Sequence, residues 1–146
     1  MTVIFKPTGT CFDDVSSFIA GQLVHEDDLT HFIHHGMCVM KDGSQYSHAW
    51  CLKGETVIDL AKKRDETVIL EMPLDVFLRG RKCKYYIEYT TTEYIAANGL
   101  ASKNAPNAGP YTKELYEECG DFKEHQMPDH IYRILGLFGR KVEVRG

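Results

Sequence analysis

The sequence predicts an α+β fold in which one N-terminal helix packs on an antiparallel sheet and further helices follow. Apolar residues recur at helical spacing between residues 12 and 23. Short turn signals at residues 41–44 and 53–55 separate runs of strand-forming residues, and helical patterns return after residue 91. A helix, then strands, then helices along the chain is typical of α+β proteins. The 146 residues fit a single domain over residues 1–146.

The first helix is predicted to begin near Thr10, which is a suitable N-cap residue. A short edge strand over residues 3–5 precedes it. The predicted buried face consists of Phe12, Val15, Ile19 and Leu23, with Phe18 beside it. Cys11 then lies at or beside the first helical residue. Backbone N–H groups and the helix dipole favour a thiolate at that position.

An antiparallel meander is predicted over residues 36–60. Its strands are residues 36–40, 45–52 and 56–60, and the first turn contains Asp42-Gly43. Because side chains alternate along a strand, Tyr46, His48 and Trp50 share one face of the second strand, whereas Cys51 points to the other and is expected to be inert.

The remaining segments predict a short helix at residues 73–78 and a strand at residues 84–89. A helix follows at residues 92–101, with Thr92 as its cap. A loop rich in Pro, Asn and Gly spans residues 103–110, and two final helices occupy residues 111–119 and 128–138.

Composition narrows the function classes. The chain is 43% hydrophobic and 26% charged, with a net charge of −4, so a nucleic-acid partner is not expected. Its one basic cluster, residues 79–84, is interpreted as a solvated loop. No apolar run is long enough to cross a bilayer, and residues 1–6 do not resemble a secretory signal. We therefore expect a cytoplasmic protein with reduced cysteines and no membrane partner.

A thiol, an imidazole and a carboxylate occur in the chain order Cys11, His48, Asp59. A thiol nucleophile needs a base to accept its proton, and the base needs a third group that fixes its tautomer. His48 and Asp59 are predicted on neighbouring strands joined by a tight turn, within side-chain reach of each other. A helix packed on that sheet would present Cys11 to His48. These three residues are the candidate catalytic set.

The cysteine at a helix start, the His48-Ala49-Trp50 run on a strand and the aspartate ending Val57-Ile58-Asp59 resemble the transglutaminase-like branch of the papain-like fold. The resemblance covers about residues 8–60. It implies a Cys-His-Asp triad, a thioester on the cysteine and an amide, peptide or protein substrate, without a cofactor. The sequence departs from many papain-like enzymes in one respect, because residues 1–10 contain no Gln or Asn for an oxyanion hole. The Cys11 backbone N–H with the Thr8 or Thr10 hydroxyl is the expected substitute.

Three further interpretations concern Trp50, a possible metal site and a function without catalysis. Trp50 either lines the site or packs in the core, and core packing is the stronger interpretation. His31, His34, His35 and Cys38 suggest a metal site at first sight, but Gly36 interrupts any helix there, so no metal is expected. A binding or structural module that keeps the scaffold without turnover is the alternative to an enzyme.

Overall fold

The computed structural model describes residues 10–63, 66–104, 110–118 and 127–145. The helices are α1 (Thr10–Glu26), α2 (Leu74–Gly80), α3 (Thr91–Asn104), α4 (Lys113–Glu118) and α5 (Asp129–Leu135). The strands are β1 (Phe32–Val39), β2 (Gln45–Lys53), β3 (Thr56–Lys63), β4 (Glu66–Pro73), β5 (Tyr85–Thr90) and β6 (Arg140–Glu143). Within these residues, no helix combines the length and apolar character that a membrane crossing requires.

The six strands form one antiparallel sheet in the order β4-β3-β2-β1-β5-β6. Helices α1, α3, α4 and α5 cover one face and bury a core with the inward residues of β1, β2, β3 and β5. Helix α2 covers part of the other face, where Phe77 packs with Trp50, Tyr46 and Tyr86. The sheet therefore has a core on each side. The α+β class and the N-terminal helix on an antiparallel sheet are confirmed.

The first helix begins at Thr10 as predicted, and the meander occupies the predicted region with different strand bounds. Phe12, Val15 and Ile19 are buried, as their spacing predicts, whereas Leu23 is only partly buried. Strand β1 begins at Phe32 rather than at the predicted residue 36. The prediction missed its first residues because both faces of β1 are buried, so the sequence lacks the polar–apolar alternation that marks a strand. Predictions for residues 3–5 and most of the 103–110 loop lie outside the described residues.

Two strands were not predicted. Strand β4 exposes Ile69 and Leu70 in succession, so its sequence lacks the alternation of a half-buried strand. Strand β6 is a four-residue edge strand of mostly charged residues, and only its pairing with β5 identifies it.

Helix α3 is capped by Thr90, not by Thr92 as predicted. The Glu93 backbone N–H donates to Thr90 Oγ1 at 3.1 Å, and the Thr90 N–H donates to Glu93 Oε1 at 3.0 Å. This reciprocal pair is a capping box. A capping box requires Glu or Gln three positions after the cap residue. Glu93 lies three positions after Thr90, whereas Ile95 lies three positions after Thr92, so Thr90 is the cap.

The absence of a side chain at Gly36 allows the close packing of β1 against Trp50. A Cβ built on Gly36 would overlap Trp50 Cη2, and it would lie 2.8 Å from Cζ3 of the same ring and 3.3 Å from Cys83 Sγ. Trp50 is fully buried between β1 and α2, so its ring has little room to move. The position tolerates no larger residue without displacement of this core.

We expect Gly36→Ala to destabilise the protein by about 1–3 kcal/mol, because the added methyl group overpacks the core. Gly21→Ala is the matched control, since a Cβ there meets nothing within 4 Å and alanine favours the helix. Urea denaturation of the two variants measures both effects. Equal stability of Gly36→Ala and wild type would contradict this packing account.

Candidate functional site

The site lies where strands β2 and β3 part. Their backbone pairing is confined to the turn end of the hairpin, where Cys51 pairs with Ile58, Leu52 with Val57 and Lys53 with Thr56. Strand β3 continues past Ile58 in full register with β4, and β2 remains paired with β1 back to Gln45. Beyond the pair of Cys51 and Ile58, β2 pairs only with β1 and β3 pairs only with β4 among the described residues. His48 and Asp59 lie in this diverging region.

His48 and Asp59 are in direct contact. His48 Nε2 lies 2.8 Å from Asp59 Oδ1, which confirms the predicted imidazole–carboxylate hydrogen bond. The Asp59 side chain is 1% exposed and that of His48 is 13% exposed. The carboxylate is therefore enclosed, while the imidazole reaches the surface.

Helix α1 brings Cys11 to the same point. Cys11 is the second residue of the helix, is partly exposed, and packs beside the core that α1 forms with the sheet. Its thiol lies close enough to His48 to interact with the imidazole, and this interaction helps to raise the pKa of His48. Because Nε2 of His48 faces Asp59, Nδ1 is the ring nitrogen left for the sulfur. The structure thus brings together the three residues that the sequence singled out, each from a different element.

Arg81 completes the surroundings of Asp59, and the sequence analysis missed it. Its Nη2 donates to Asp59 Oδ2 at 2.8 Å, and its Nη1 donates to the Tyr46 hydroxyl at 3.2 Å. The interpretation of residues 79–84 as a solvated loop was wrong, because the segment begins in α2, Cys83 is buried and the Arg81 side chain is only 22% exposed. Arg79 and Lys82, on either side, do lie in solvent. No local pattern distinguishes Arg81 from them, because its partner lies on a distant strand.

The ionisation of the site follows from these contacts. Burial lowers the pKa of His48, but hydrogen bonds to Asp59 and Cys11 and the charges of both outweigh it and raise that pKa to about 9. Burial alone would raise the pKa of Asp59, but hydrogen bonds and charges from His48 and Arg81 dominate and lower it. At neutral pH, His48 is therefore an imidazolium that donates Nε2–H to an ionised Asp59.

Trp50 supports the His48 ring from inside the core. The two rings are nearly parallel, with centroids 6.0 Å apart. The indole N–H of Trp50 donates to His34 Nδ1 at 3.0 Å, and the side chain is fully buried. Trp50 therefore packs in the core, which is the stronger of its two interpretations. The oxyanion candidates Thr8 and the Thr10 side chain lie outside the described residues.

Cys51 and the histidines of the possible metal site do not all lie on one face of the sheet. Cys51 lies in the core on the α1 face, where burial and the Asp59 charge raise the pKa of its thiol to about 12. His34 and His35 are consecutive in β1 and point to opposite faces, so they cannot bind one ion together. Among the described residues, no cluster of three His, Cys, Asp or Glu side chains is arranged to hold a metal ion.

No protein-family model, curated protein or solved structure matches this chain.

The raised pKa of His48 predicts a pH-dependent contribution to stability. A histidine whose pKa is higher in the folded than in the unfolded protein stabilises the fold below the unfolded value of 6.5, and this contribution is lost as pH rises through about 9. We therefore expect the stability difference between wild type and His48→Gln to shrink as pH rises from 6.5 to 9.5. Urea denaturation across this range measures it, with the exposed His25→Gln as control. A constant difference would show that His48 titrates normally.

The Arg81–Asp59 pair predicts that substitution of Arg81 destabilises the protein more than substitution of the nearby Arg79. Arg81→Met leaves the buried Asp59 carboxylate with one partner fewer, at an expected cost of about 1–3 kcal/mol. Arg79→Met removes only a surface pair with Asp75 at 3.5 Å and should change stability by less than about 0.5 kcal/mol. Chemical denaturation at pH 7 compares them. Similar small effects would mean that Arg81 does not support Asp59.

Proposed function

We propose that this protein is a cysteine-dependent acyl-transfer enzyme that acts through a thioester on Cys11. The observation that carries the proposal is the convergence of three residues: His48 Nε2 lies 2.8 Å from Asp59 Oδ1, and Cys11 interacts with the same imidazole. It joins a nucleophile, a base and an orienting carboxylate, and the nucleophile lies at the start of a 17-residue helix.

The first half of the proposed reaction forms the thioester. The Cys11 sulfur attacks the carbonyl carbon of an amide or ester and forms a tetrahedral intermediate. His48, protonated through its pairing with Cys11, then donates its proton to the leaving amine or alcohol, and the carbon–nitrogen or carbon–oxygen bond breaks. Asp59 holds Nε2 of His48 throughout, so that Nδ1 faces the reacting atoms.

The second half releases the acyl group. Neutral His48 accepts a proton from water or from a second amine, and that nucleophile attacks the thioester carbonyl and expels the Cys11 thiolate. Water gives hydrolysis or deamidation, and an amine gives transamidation. The backbone N–H of Cys11 is proposed as an oxyanion donor, since the first N–H groups of a helix have no partner within it.

The proposed substrates are a peptide, a protein segment or a small amide. The partial exposure of Cys11 and His48 where β2 and β3 diverge supports access from the surface. The order of the three residues, the helix-borne cysteine and the His-Ala-Trp strand support placement in the transglutaminase-like branch of the papain-like fold.

Substitution of Cys11 tests whether this residue serves catalysis or only the stability of the fold. Cys11→Ala should abolish turnover, because the covalent route is lost, and should change stability by about 1 kcal/mol or less at this partly exposed position. Cys51→Ala is the matched control: it should destabilise the core and keep activity per folded molecule. A panel of fluorogenic amides and esters, assayed beside thermal melts, provides both measurements.

Asp59→Asn should lower activity through the wrong His48 tautomer, and it should also lower stability because Arg81 loses its charged partner. Wild-type protein that turns over no member of the panel, together with a large loss of stability in Cys11→Ala, would favour the non-catalytic module.

A further inference from the structure

A second pair of reactive groups lies on the sheet face opposite α1. Cys38, near the end of β1, and Cys83, just before β5, are neighbours whose thiols shift each other's pKa in opposite directions. Both belong to the core that contains Trp50 and Phe77. The Cys83 sulfur also lies 3.3 Å from the Tyr85 carbonyl oxygen. The proposed acyl-transfer reaction uses neither thiol.

The backbone holds the two cysteines close together. Strands β1 and β5 are antiparallel neighbours with Met37 opposite Tyr85. The Lys84 N–H donates to the Met37 carbonyl at 2.8 Å, and the Val39 N–H donates to the Arg81 carbonyl at 3.2 Å. These bonds flank Cys38 and Cys83 on the two segments and hold them as neighbours. A disulfide between them requires a backbone separation of about 4.4–6.8 Å.

The two thiols differ in access. Cys38 is fully buried, whereas Cys83 is 6% exposed and lines an open surface pocket of about 530 Å³. Leu78 and Val144 form apolar parts of the pocket wall, and three of the other lining residues are basic: Arg79, Lys82 and Arg145. One acid, Asp75, also lines it. An anionic reagent therefore approaches Cys83 through a pocket with more positive than negative groups, and Cys38 lies behind it.

We propose that Cys38 and Cys83 form a reversible dithiol–disulfide site that reacts with small anionic disulfides of the glutathione type. Cys83 is the attacking thiol, because it is the one that faces the pocket. Cys38 is the resolving thiol. The proposal does not rest on the proposed acyl transfer at Cys11.

The reaction takes place in two balanced steps. The Cys83 thiolate attacks one sulfur of the disulfide, a mixed disulfide forms on Cys83, and the first small thiolate leaves and takes a proton from solvent. Cys38 then loses its proton to solvent, and its sulfur attacks the Cys83 sulfur and expels the second small thiolate, which is protonated in turn. Two protein thiols are oxidised by two electrons, and one disulfide is reduced to two thiols.

The ionisation of the pair agrees with these roles. The interaction with the Cys38 thiol lowers the pKa of Cys83, and the His48 charge acts in the same direction. The same interaction, together with burial, raises the pKa of Cys38. The more accessible thiol is thus the more acidic one, as an attacking thiol requires.

The test exposes reduced, full-length protein to oxidised glutathione at pH 7.5, quenches it with N-ethylmaleimide and maps the peptides without reduction. We expect a Cys38–Cys83 cross-linked peptide two hydrogens lighter than the reduced pair, reversed by dithiothreitol. Cys38→Ser should stop at the mixed disulfide and accumulate glutathione on Cys83. Cys51→Ser, which removes a buried thiol on the other face, should leave the cross-link unchanged.

A neutral disulfide, bis(2-hydroxyethyl) disulfide, should modify Cys83 more slowly than oxidised glutathione, and added salt should reduce the difference. Two results would overturn the proposal. One is full maleimide labelling of both Cys38 and Cys83 after the oxidant. The other is a Cys38→Ser protein that circular dichroism shows to be folded but that carries no glutathione on Cys83.

Discussion

The site depends on the buried carboxylate of Asp59. Its two oxygens face different partners, with Oδ1 at 2.8 Å from His48 Nε2 and Oδ2 at 2.8 Å from Arg81 Nη2. An ionised carboxylate that is 1% exposed is tolerated only when such partners satisfy it. The same two contacts connect β2, β3 and the end of α2. Asp59 thereby fixes the orientation of His48 and couples it to the packing of Phe77 and Trp50 beneath the ring.

The diverging strands make this arrangement possible. A ladder between β2 and β3 that ran the length of both strands would close the space into which the start of α1 projects. Because the pairing ends at Cys51 and Ile58, Cys11 reaches His48, although α1 packs on the sheet face opposite His48. The backbone groups of β2 and β3 remain paired on their outer sides with β1 and β4. The opening therefore leaves the outer ladders of both strands intact.

Much of this fold, and the three residues of the candidate triad, could be predicted from local sequence patterns. Helix α1 and the β1–β3 meander follow from apolar spacing and from the turns at Gly43 and Gly54, both of which adopt positive φ. Arg81 could not be predicted in this way, because its role depends on where α2 ends relative to β3. Strand β4 was missed for a related reason: Ile69 and Leu70 are both exposed on an edge strand, so burial leaves no periodic signal. Features set by tertiary packing leave little trace in a single sequence.

Thiol reactivity tests the central claim, that His48 activates Cys11, without knowledge of the substrate. Protein is treated with a limiting amount of iodoacetamide at pH 6, and carbamidomethylated peptides are quantified for wild type and His48→Gln. The account predicts that Cys11 is alkylated far faster than the other cysteines in wild type, and that this preference is lost in His48→Gln, which removes the paired imidazolium. Equal rates at Cys11 in the two proteins, or slow and uniform labelling of all five thiols in wild type, would contradict it.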